Sequence, residues 1–177
     1  KHTKGNTKAE AVMLLNHQAA LDYVLNKPDY FRELTVQKIL EIHRFLTKGL
    51  GIPNKIRAGR VGITGTNYKP LAKANQIQKA LQDLCDLINS KRNVLEKAFI
   101  ALLLIAYIQP FEDGNKRTAR IICNALLLPN KYCPISFRTV EPEDYRYATL
   151  LFYEQNSMPS FKKIFMEQLE FSTANYF

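Results

Sequence analysis

The sequence predicts an all-α fold that carries one small β-hairpin. Apolar residues recur at helical spacing along most of the chain, and Gly and Pro stand where helices would begin or end. The exception is a glycine-containing stretch of alternating residues, a pattern typical of short strands. At 177 residues the chain has the length of one domain, so we predict a single domain over residues 1–177.

The first half of the chain contains three predicted helices. Residues 9–25 carry apolar side chains at helical spacing and stop before Pro28. Thr35 can cap a helix that runs to about Lys48, because its hydroxyl can accept a hydrogen bond from a free amide of the first turn. Residues 71–88 form the third helix, whose apolar face consists of Ile77, Leu81, Leu84 and Ile88.

The second half contains four more predicted helices. Asn93 followed by Glu96 resembles a capping box, and it opens a strongly apolar helix that reaches Ile108 and is terminated by Pro110. The next helix should start near Lys116. It should end before Pro129, and Pro142 and Pro159 suit the first turns of the last two helices.

Residues 56–68 (IRAGRVGITGTNY) interrupt the helical pattern. Short β-favouring residues alternate there with Gly59, Gly62 and Gly65, which predicts a small β-hairpin. Because an isolated hairpin is only marginally stable, we expect it to lean on the helices.

The composition excludes several classes of protein. The longest apolar run, residues 98–108, has 11 residues, whereas a membrane-spanning helix needs about 20. The N-terminus lacks the pattern of a signal peptide, so we expect a cytoplasmic protein without a membrane partner. Its three cysteines, an odd number with no closely spaced pair, argue against a disulfide framework: Cys85, Cys123 and Cys133.

The net charge of +9 is unevenly distributed. No acidic residue stands between Glu41 and Asp83, although many basic residues do. Such a field attracts a nucleotide, an acidic protein surface or nucleic acid, but a solvated basic surface has the same composition. Nucleic acid is the least favoured partner, because no helix-turn-helix or stacking motif accompanies the charge. The basic residues of this interval are Arg44, Lys48, Lys55, Arg57, Arg60, Lys69, Lys73 and Lys79.

Residues 109–120 (QPFEDGNKRTAR) separate the two most apolar helices, so they should lie at the mouth of the core. Gly114 allows a tight turn, and the amides of the following helix point toward the space beside it. Lys116, Arg117 and Arg120 stand near the start of that helix, where each cation opposes the helix dipole by about 0.3–1 kcal/mol. A bound polyphosphate would reverse this penalty, so the segment is a candidate anion-binding loop.

Two residues of this loop allow alternative interpretations. Asp113 could hold a divalent cation that bridges phosphates, as Mg²⁺ commonly does. Asn115 can hydrogen-bond to a phosphate or to a neighbouring turn. Alternatively, Glu112 and Asp113 simply cap the helix and pair with the nearby cations. The residues alone leave both interpretations open.

The complete string closely resembles the motif of the Fic (Fido) family, H-x-F-x-D/E-G-N-x-R-x-x-R, with Gln109 in place of the His. Residues 61–70 (VGITGTNYKP), which we call the flap, resemble the flap of that family, and residues 147–165 resemble its tyrosine-rich ending. The resemblance covers a core of about residues 35–170, after an N-terminal helix within residues 1–30. The positions that match the motif in register are Phe111, Asp113, Gly114, Asn115, Arg117 and Arg120.

The resemblance implies a Fic-type helical bundle that transfers AMP from ATP to a hydroxyl of a protein target. Asp113 would hold Mg²⁺, and Arg117 and Arg120 would neutralise the β- and γ-phosphates. The flap would hold the target in extended form and cover the nucleotide. The nucleotide-binding residues implied in this way are Gly62, Ile63, Thr64, Gly65, Asp113, Gly114, Asn115, Lys116, Arg117, Thr118 and Arg120.

Gln109 occupies the position of the catalytic base. The family's His suits proton transfer because its pKa lies near neutrality, whereas an amide does not titrate there. Losing such a base typically slows a reaction by about 10²- to 10⁴-fold. We therefore expect weak or lost activity, and a nucleotide-binding pseudoenzyme that recognises a protein is an alternative function.

Lys116 is a second departure, because many adenylylating members carry a second Gly at this position. The death-on-curing branch of the superfamily, which transfers phosphate, also has Lys there. A phosphotransferase (kinase) is therefore another alternative.

Regulation and the remaining aromatic residues are less constrained by the sequence. The inhibitory-helix signature S/T-x-x-x-E-G/N is absent from residues 1–30, so we expect such a helix from a missing N-terminus or a separate antitoxin.

The three histidines are predicted to be structural or surface residues: His2, His17 and His43. One of three tyrosines could stack on adenine, although core packing explains them equally well: Tyr145, Tyr147 and Tyr153.

Overall fold

The computed structural model describes residues 7–176 as seven α-helices joined by loops and two short 3₁₀ turns. The all-α prediction is confirmed for this part of the chain, and His2 lies outside it. The 3₁₀ turns are Pro28–Phe31 and Leu128–Asn130. The helices are α1 (Thr7–Leu25), α2 (Val36–Thr47), α3 (Ala74–Ser90), α4 (Val94–Ile108), α5 (Asn115–Leu127), α6 (Pro142–Gln155) and α7 (Pro159–Tyr176).

Side chains predicted as caps fix the starts of two helices. The Thr35 hydroxyl accepts a hydrogen bond from the amide of Lys38 (3.3 Å) and begins α2. The side-chain oxygen of Asn93 accepts from the amides of Leu95 (2.9 Å) and Glu96 (3.1 Å) and begins α4. These bonds satisfy amides that have no partner inside the helix, so the caps are confirmed.

The helices on either side of the loop, α4 and α5, form the most extensive helix pair among the described residues. α1, α2 and α3 pack around this pair, and α6 packs with α7. α4 carries apolar residues on every side and is buried along most of its length, as expected for a helix surrounded by neighbours. The loop that joins α4 to α5 is therefore anchored at both ends in the core.

The prediction of a β-hairpin is wrong. Residues 56–68 form no strand; they run as a loop with a turn at Thr64–Gly65. A single backbone bond, from the amide of Gly59 to the carbonyl of Ala72 (2.9 Å), closes the base of this loop. The flap is held by the helices instead: the Tyr68 hydroxyl donates to the Tyr107 carbonyl (3.0 Å) on α4, and Glu154 on α6 accepts from a flap amide. These anchors replace cross-strand pairs, which a Gly-rich segment supports poorly.

Two further expectations can be compared with the structure. Within residues 7–176, no helix is both long and apolar enough to cross a bilayer. All three thiols are buried and free: Cys85, Cys123 and Cys133.

Candidate functional site

Gln109 marks the point where α4 ends and the loop begins. Its backbone adopts the left-handed conformation (φ 52°, ψ 58°), which turns the chain away from the helix axis. Its side-chain nitrogen donates to the carbonyl of Ala106 (2.6 Å), and its side-chain oxygen accepts from the side chain of Asn115 (3.0 Å). The side-chain amide is therefore bonded at both ends to the helices that flank the loop, and one lone pair of its oxygen has no donor among residues 7–176.

Asn115 closes the loop on itself. Its side-chain oxygen accepts from the amide of Phe111 (2.9 Å), and its side-chain nitrogen donates to the Phe111 carbonyl (2.9 Å) as well as to Gln109. The side chain is buried. Of the two roles predicted for Asn115, the structure supports the bond to a neighbouring turn.

His43 supports the loop from α2. Its ring is fully buried and stacks on Phe111, with 3.7 Å between the ring centroids and 13° between the planes. Nε2 lies 3.0 Å from the carbonyl of Asp113, and Nδ1 lies 3.1 Å from the side-chain oxygen of Asn54. Burial is the main cause that lowers the pKa of His43, so the ring is neutral and has one N–H. Both neighbouring atoms are acceptors, so this N–H donates either to the Asp113 carbonyl from Nε2 or to the Asn54 oxygen from Nδ1.

Gly114 is the cap of α5 and has a φ of 83°, where a residue with a side chain is strained. The Asp113 carboxylate accepts from the Gly114 amide (2.6 Å) and pairs with Arg117 Nη2 (3.2 Å). The pairing with a cation that the sequence allowed is thus present for Asp113, whereas no side chain caps the first amides of α5. Arg117 Nη1 is buried and has no hydrogen-bond partner among residues 7–176. This donor could bind an anion that enters beside α5.

A cleft of about 480 Å³ lies between this loop, the flap and α6. The tip of the flap borders one side of the cleft, and Gln109, the position of the family's catalytic base, borders another. Side chains of α6 complete it. The lining residues are Gly62, Ile63, Thr64, Gln109, Glu112, Asp113, Gly114, Asn115, Lys116, Arg117, Arg146, Thr149, Leu150 and Tyr153.

Most of the predicted site residues border this cleft, but Gly65, Thr118 and Arg120 do not. Thr118 is fully buried within α5. The Arg120 guanidinium lies over the rings of Tyr145 (4.9 Å) and Phe137 (5.3 Å). It borders a second cavity of about 380 Å³, which also contacts His17 of α1.

The sequence prediction did not include the cleft residues Glu112, Arg146, Thr149 and Leu150. Three of them lie on α6, and no local signal brings that helix to the loop. Among the three candidate tyrosines, Tyr153 borders the cleft, Tyr145 lies beneath Arg120, and the side chain of Tyr147 is 65% exposed.

The cleft has a positive electrostatic character. Partial burial lowers the pKa of Lys116, and the nearby charges of Arg120 and Arg146 lower it further. At the second cavity, burial lowers the pKa of His17, with smaller contributions from Arg120 and from Arg117 of the cleft. Cations that repel one another are stabilised by a shared anion, so the site suits a ligand with several negative charges.

Comparison with known proteins agrees with this arrangement. A sequence model of the Fic/DOC family matches residues 33–127. The chain is similar to protein adenylyltransferase fic-1 of Caenorhabditis elegans, with 26% identity over 151 residues that cover 81% of this chain and 29% of that protein. It is also similar to protein adenylyltransferase Fic of Nematostella vectensis, with 32% identity over 119 residues, 63% of this chain and 27% of that protein. The chain thus spans less than a third of the length of these relatives.

The fold itself is similar to that of a solved structure. Fic-1 from C. elegans superimposes with a TM-score of 0.80 at 23% identity, covering 99% of this chain and 53% of that one. The helical arrangement described above is therefore that of a known fold.

Proposed function

The chain belongs to the Fic/DOC family, and we propose that it binds ATP with Mg²⁺ and slowly transfers AMP to a hydroxyl of a protein. The observation that carries this proposal is the cleft that joins the flap, Gln109 and the start of α5 around the unpartnered Nη1 of Arg117. The similar proteins named as adenylyltransferases support the same reaction class.

The phosphates would bind at the start of α5. The first amides of a helix have no partner within it and, with the helix dipole, favour an anion. Arg117 lies in the first turn of α5 and has a buried donor without a partner among residues 7–176, which a phosphate oxygen would satisfy. Lys116 lies in the same cleft and adds a further positive charge.

The metal would bind at Asp113. Within residues 7–176, no group of three or more His, Cys, Asp or Glu side chains could hold a metal ion. A single carboxylate fits Mg²⁺, which is commonly bound by one or two carboxylates together with phosphate oxygens and water. When bound, Mg²⁺ would offset charge on the phosphates. Asp113 would then release Arg117, whose Nη2 could turn to the nucleotide.

Gln109 would orient the target hydroxyl without removing its proton. The hydroxyl oxygen would attack the α-phosphorus, pyrophosphate would leave, and the proton would pass to water, since an amide cannot accept it. Its side-chain oxygen already accepts from Asn115, and its free lone pair could accept from the hydroxyl. The positive charge and the fixed loop would still act on the phosphates, and such transfer depends strongly on positioning and electrostatics. Slow transfer is therefore expected.

The flap would hold the target. The backbone groups of residues 61–66 make no hydrogen bond within the described part of the chain. An extended polypeptide could pair with them, which would position a hydroxyl without requiring one particular sequence.

Lys116 supports a second candidate function, transfer of the terminal phosphate. Its side chain borders the cleft at a position where a Gly would leave space, so it could change the pose of the nucleotide. A third outcome, nucleotide binding without transfer, would follow if the internally bonded Gln109 cannot orient a hydroxyl.

The test compares the wild-type protein with Gln109→His, using ATP labelled at the α or the γ position together with cell lysate. We expect α-label on protein, and about 10²- to 10⁴-fold more of it with the histidine variant. Label from the γ position alone would indicate phosphate transfer. Calorimetry with Mg-ATP identifies the third outcome, in which binding occurs without either label, and absent binding at millimolar ATP would contradict all three.

A further inference from the structure

Exposed cations collect where the two ends of the flap meet. The bond from the Gly59 amide to the Ala72 carbonyl (2.9 Å) brings the segments before and after the flap together. Arg60 follows Gly59, Lys73 follows Ala72, and Lys69 lies near the end of the flap, three residues before Ala72. All three side chains are exposed, and we call these residues the neck cations.

The charge of the neck cations is not balanced by nearby acidic residues in the chain. Residues 42–82 contain no Asp or Glu. None of the neck cations forms an ion pair within residues 7–176, whereas Lys79, at the edge of this interval, pairs with Asp83 (2.8 Å). The carboxylate that contacts the flap, Glu154, accepts from the Asn67 amide (3.2 Å), two residues before Lys69, but forms no ion pair with a neck cation within residues 7–176. The neck therefore presents unpaired positive charge.

We propose that the neck cations select a target polypeptide with acidic side chains about three residues from the modified hydroxyl. This inference rests on the proposed function, in which the target pairs with the flap. Ile63 borders the cleft, and Arg60 lies three residues before it. An extended chain advances about 3.3 Å per residue, so the two positions are separated by roughly 10 Å along a paired target. An acidic side chain at that distance would reach the neck while the hydroxyl lies beside Gln109.

The flap favours a polypeptide over a nucleic acid. Before the turn at Thr64–Gly65, residues 61–63 have backbone donors and acceptors without partners among residues 7–176, and an extended polypeptide can pair with such groups. Single-stranded nucleic acids usually need aromatic side chains on which bases stack. The aromatic residue of the flap, Tyr68, is only partly exposed, and its ring stacks on Tyr107 (4.3 Å).

The test measures the affinity of fluorescent peptides for the complete chain by anisotropy, without nucleotide. Each peptide has a central Thr, and Asp, Ala or Lys at the positions three and four residues away on either side. We expect the acidic peptides to bind about tenfold more tightly than the neutral ones, since each exposed ion pair has a small effect and three act together. This preference should weaken as salt is added.

Two matched variants locate the effect. The triple variant Arg60→Glu, Lys69→Glu and Lys73→Glu should lose the acidic preference. A control with the same change in net charge, Lys8→Glu, Lys131→Glu and Lys162→Glu, should keep it, because these exposed residues do not border the flap or the cleft. Circular dichroism checks that both variants fold, and the salt dependence of the wild-type protein gives a measurement that needs no variant.

Three results would overturn the proposal: equal or undetectable binding of acidic and neutral peptides, equal loss in both variants, or tighter binding of a single-stranded oligonucleotide that the neck variant alone abolishes. Because binding is measured without ATP, the assay can show a preference for acidic peptides even if the protein transfers no AMP. Conversely, AMP transfer without such a preference would contradict only the inference about the neck.

Discussion

The loop at residues 109–115 and the flap at residues 61–70 border the same cleft but are built in opposite ways. In the loop, side chains bond to backbone and to one another from both sides, with Asn115 inside it and His43 behind it. In the flap, anchors hold the far end, such as Tyr68, and leave the backbone of residues 61–66 free. The difference suits a ligand of constant shape at the loop and a variable partner at the flap.

The contrast predicts its largest stability effect at Asn115. Asn115→Ala leaves the buried amide and carbonyl of Phe111 without partners, and each such group costs about 1–3 kcal/mol. We expect the free energy of unfolding, measured by urea denaturation, to fall by about 3 kcal/mol. Asn67→Ala in the flap is the control, since its exposed side chain should change stability by less than about 0.5 kcal/mol. Similar losses at both positions would show that the loop is no more firmly built than the flap.

Arg117 should matter for the ligand more than for the fold. Arg117→Ala removes a charged donor from the cleft, and hydrogen bonds to charged groups contribute roughly 1.5–3 kcal/mol. We therefore expect Mg-ATP to bind about 10- to 100-fold more weakly by calorimetry. Lys79→Ala, on the exposed side of α3, is the matched loss of one positive charge and should leave the affinity unchanged. If Arg117→Ala binds Mg-ATP as tightly as the wild-type protein does, the phosphates do not bind at this end of α5.

The flap anchor can be tested with a smaller change. Tyr68→Phe removes one hydrogen bond to the Tyr107 carbonyl while keeping the ring stack, so we expect a loss of about 1 kcal/mol in unfolding free energy. Hydrogen exchange should rise at the far end of the flap, whereas residues 111–115 should remain protected. The exposed Tyr147→Phe is the control. Faster exchange in the loop as well would mean that the two regions open together.

The loop could be predicted from sequence to a large extent because its determinants are local. Gly114, Asp113 and Arg117 lie within one turn of chain, and their contacts follow from that proximity. The surroundings of Arg120 could not be predicted in this way. It lies only about one helical turn beyond Arg117, but its guanidinium packs on aromatic rings that come from distant segments.

The flap could not be predicted in the same way because its anchors are distant in sequence. Tyr68 contacts a residue 39 positions away, and Asn67 contacts one 87 positions away. The glycines indicated a turn, which is present at Thr64–Gly65, but whether the flanking residues pair with one another depends on the helices beside them. The part of the cleft formed by α6, including Arg146, was missed for the same reason.

The smallest expected effect is the dependence of the unfolding free energy on pH, which should act on the loop and not on the flap. The pKa of His43 is lowered from 6.5, chiefly by burial, so the unfolded chain binds a proton more readily than the folded one. The stability that depends on the neutral ring is therefore present above about pH 6.5 and is lost as the pH falls below it. The unfolding free energy of His43→Gln should vary less with pH in this range than that of the wild-type protein, and His17→Gln corrects for the other histidine with a lowered pKa. Since no flap residue titrates there, acid should increase hydrogen exchange in the loop first; earlier exchange in the flap would contradict the support assigned to His43.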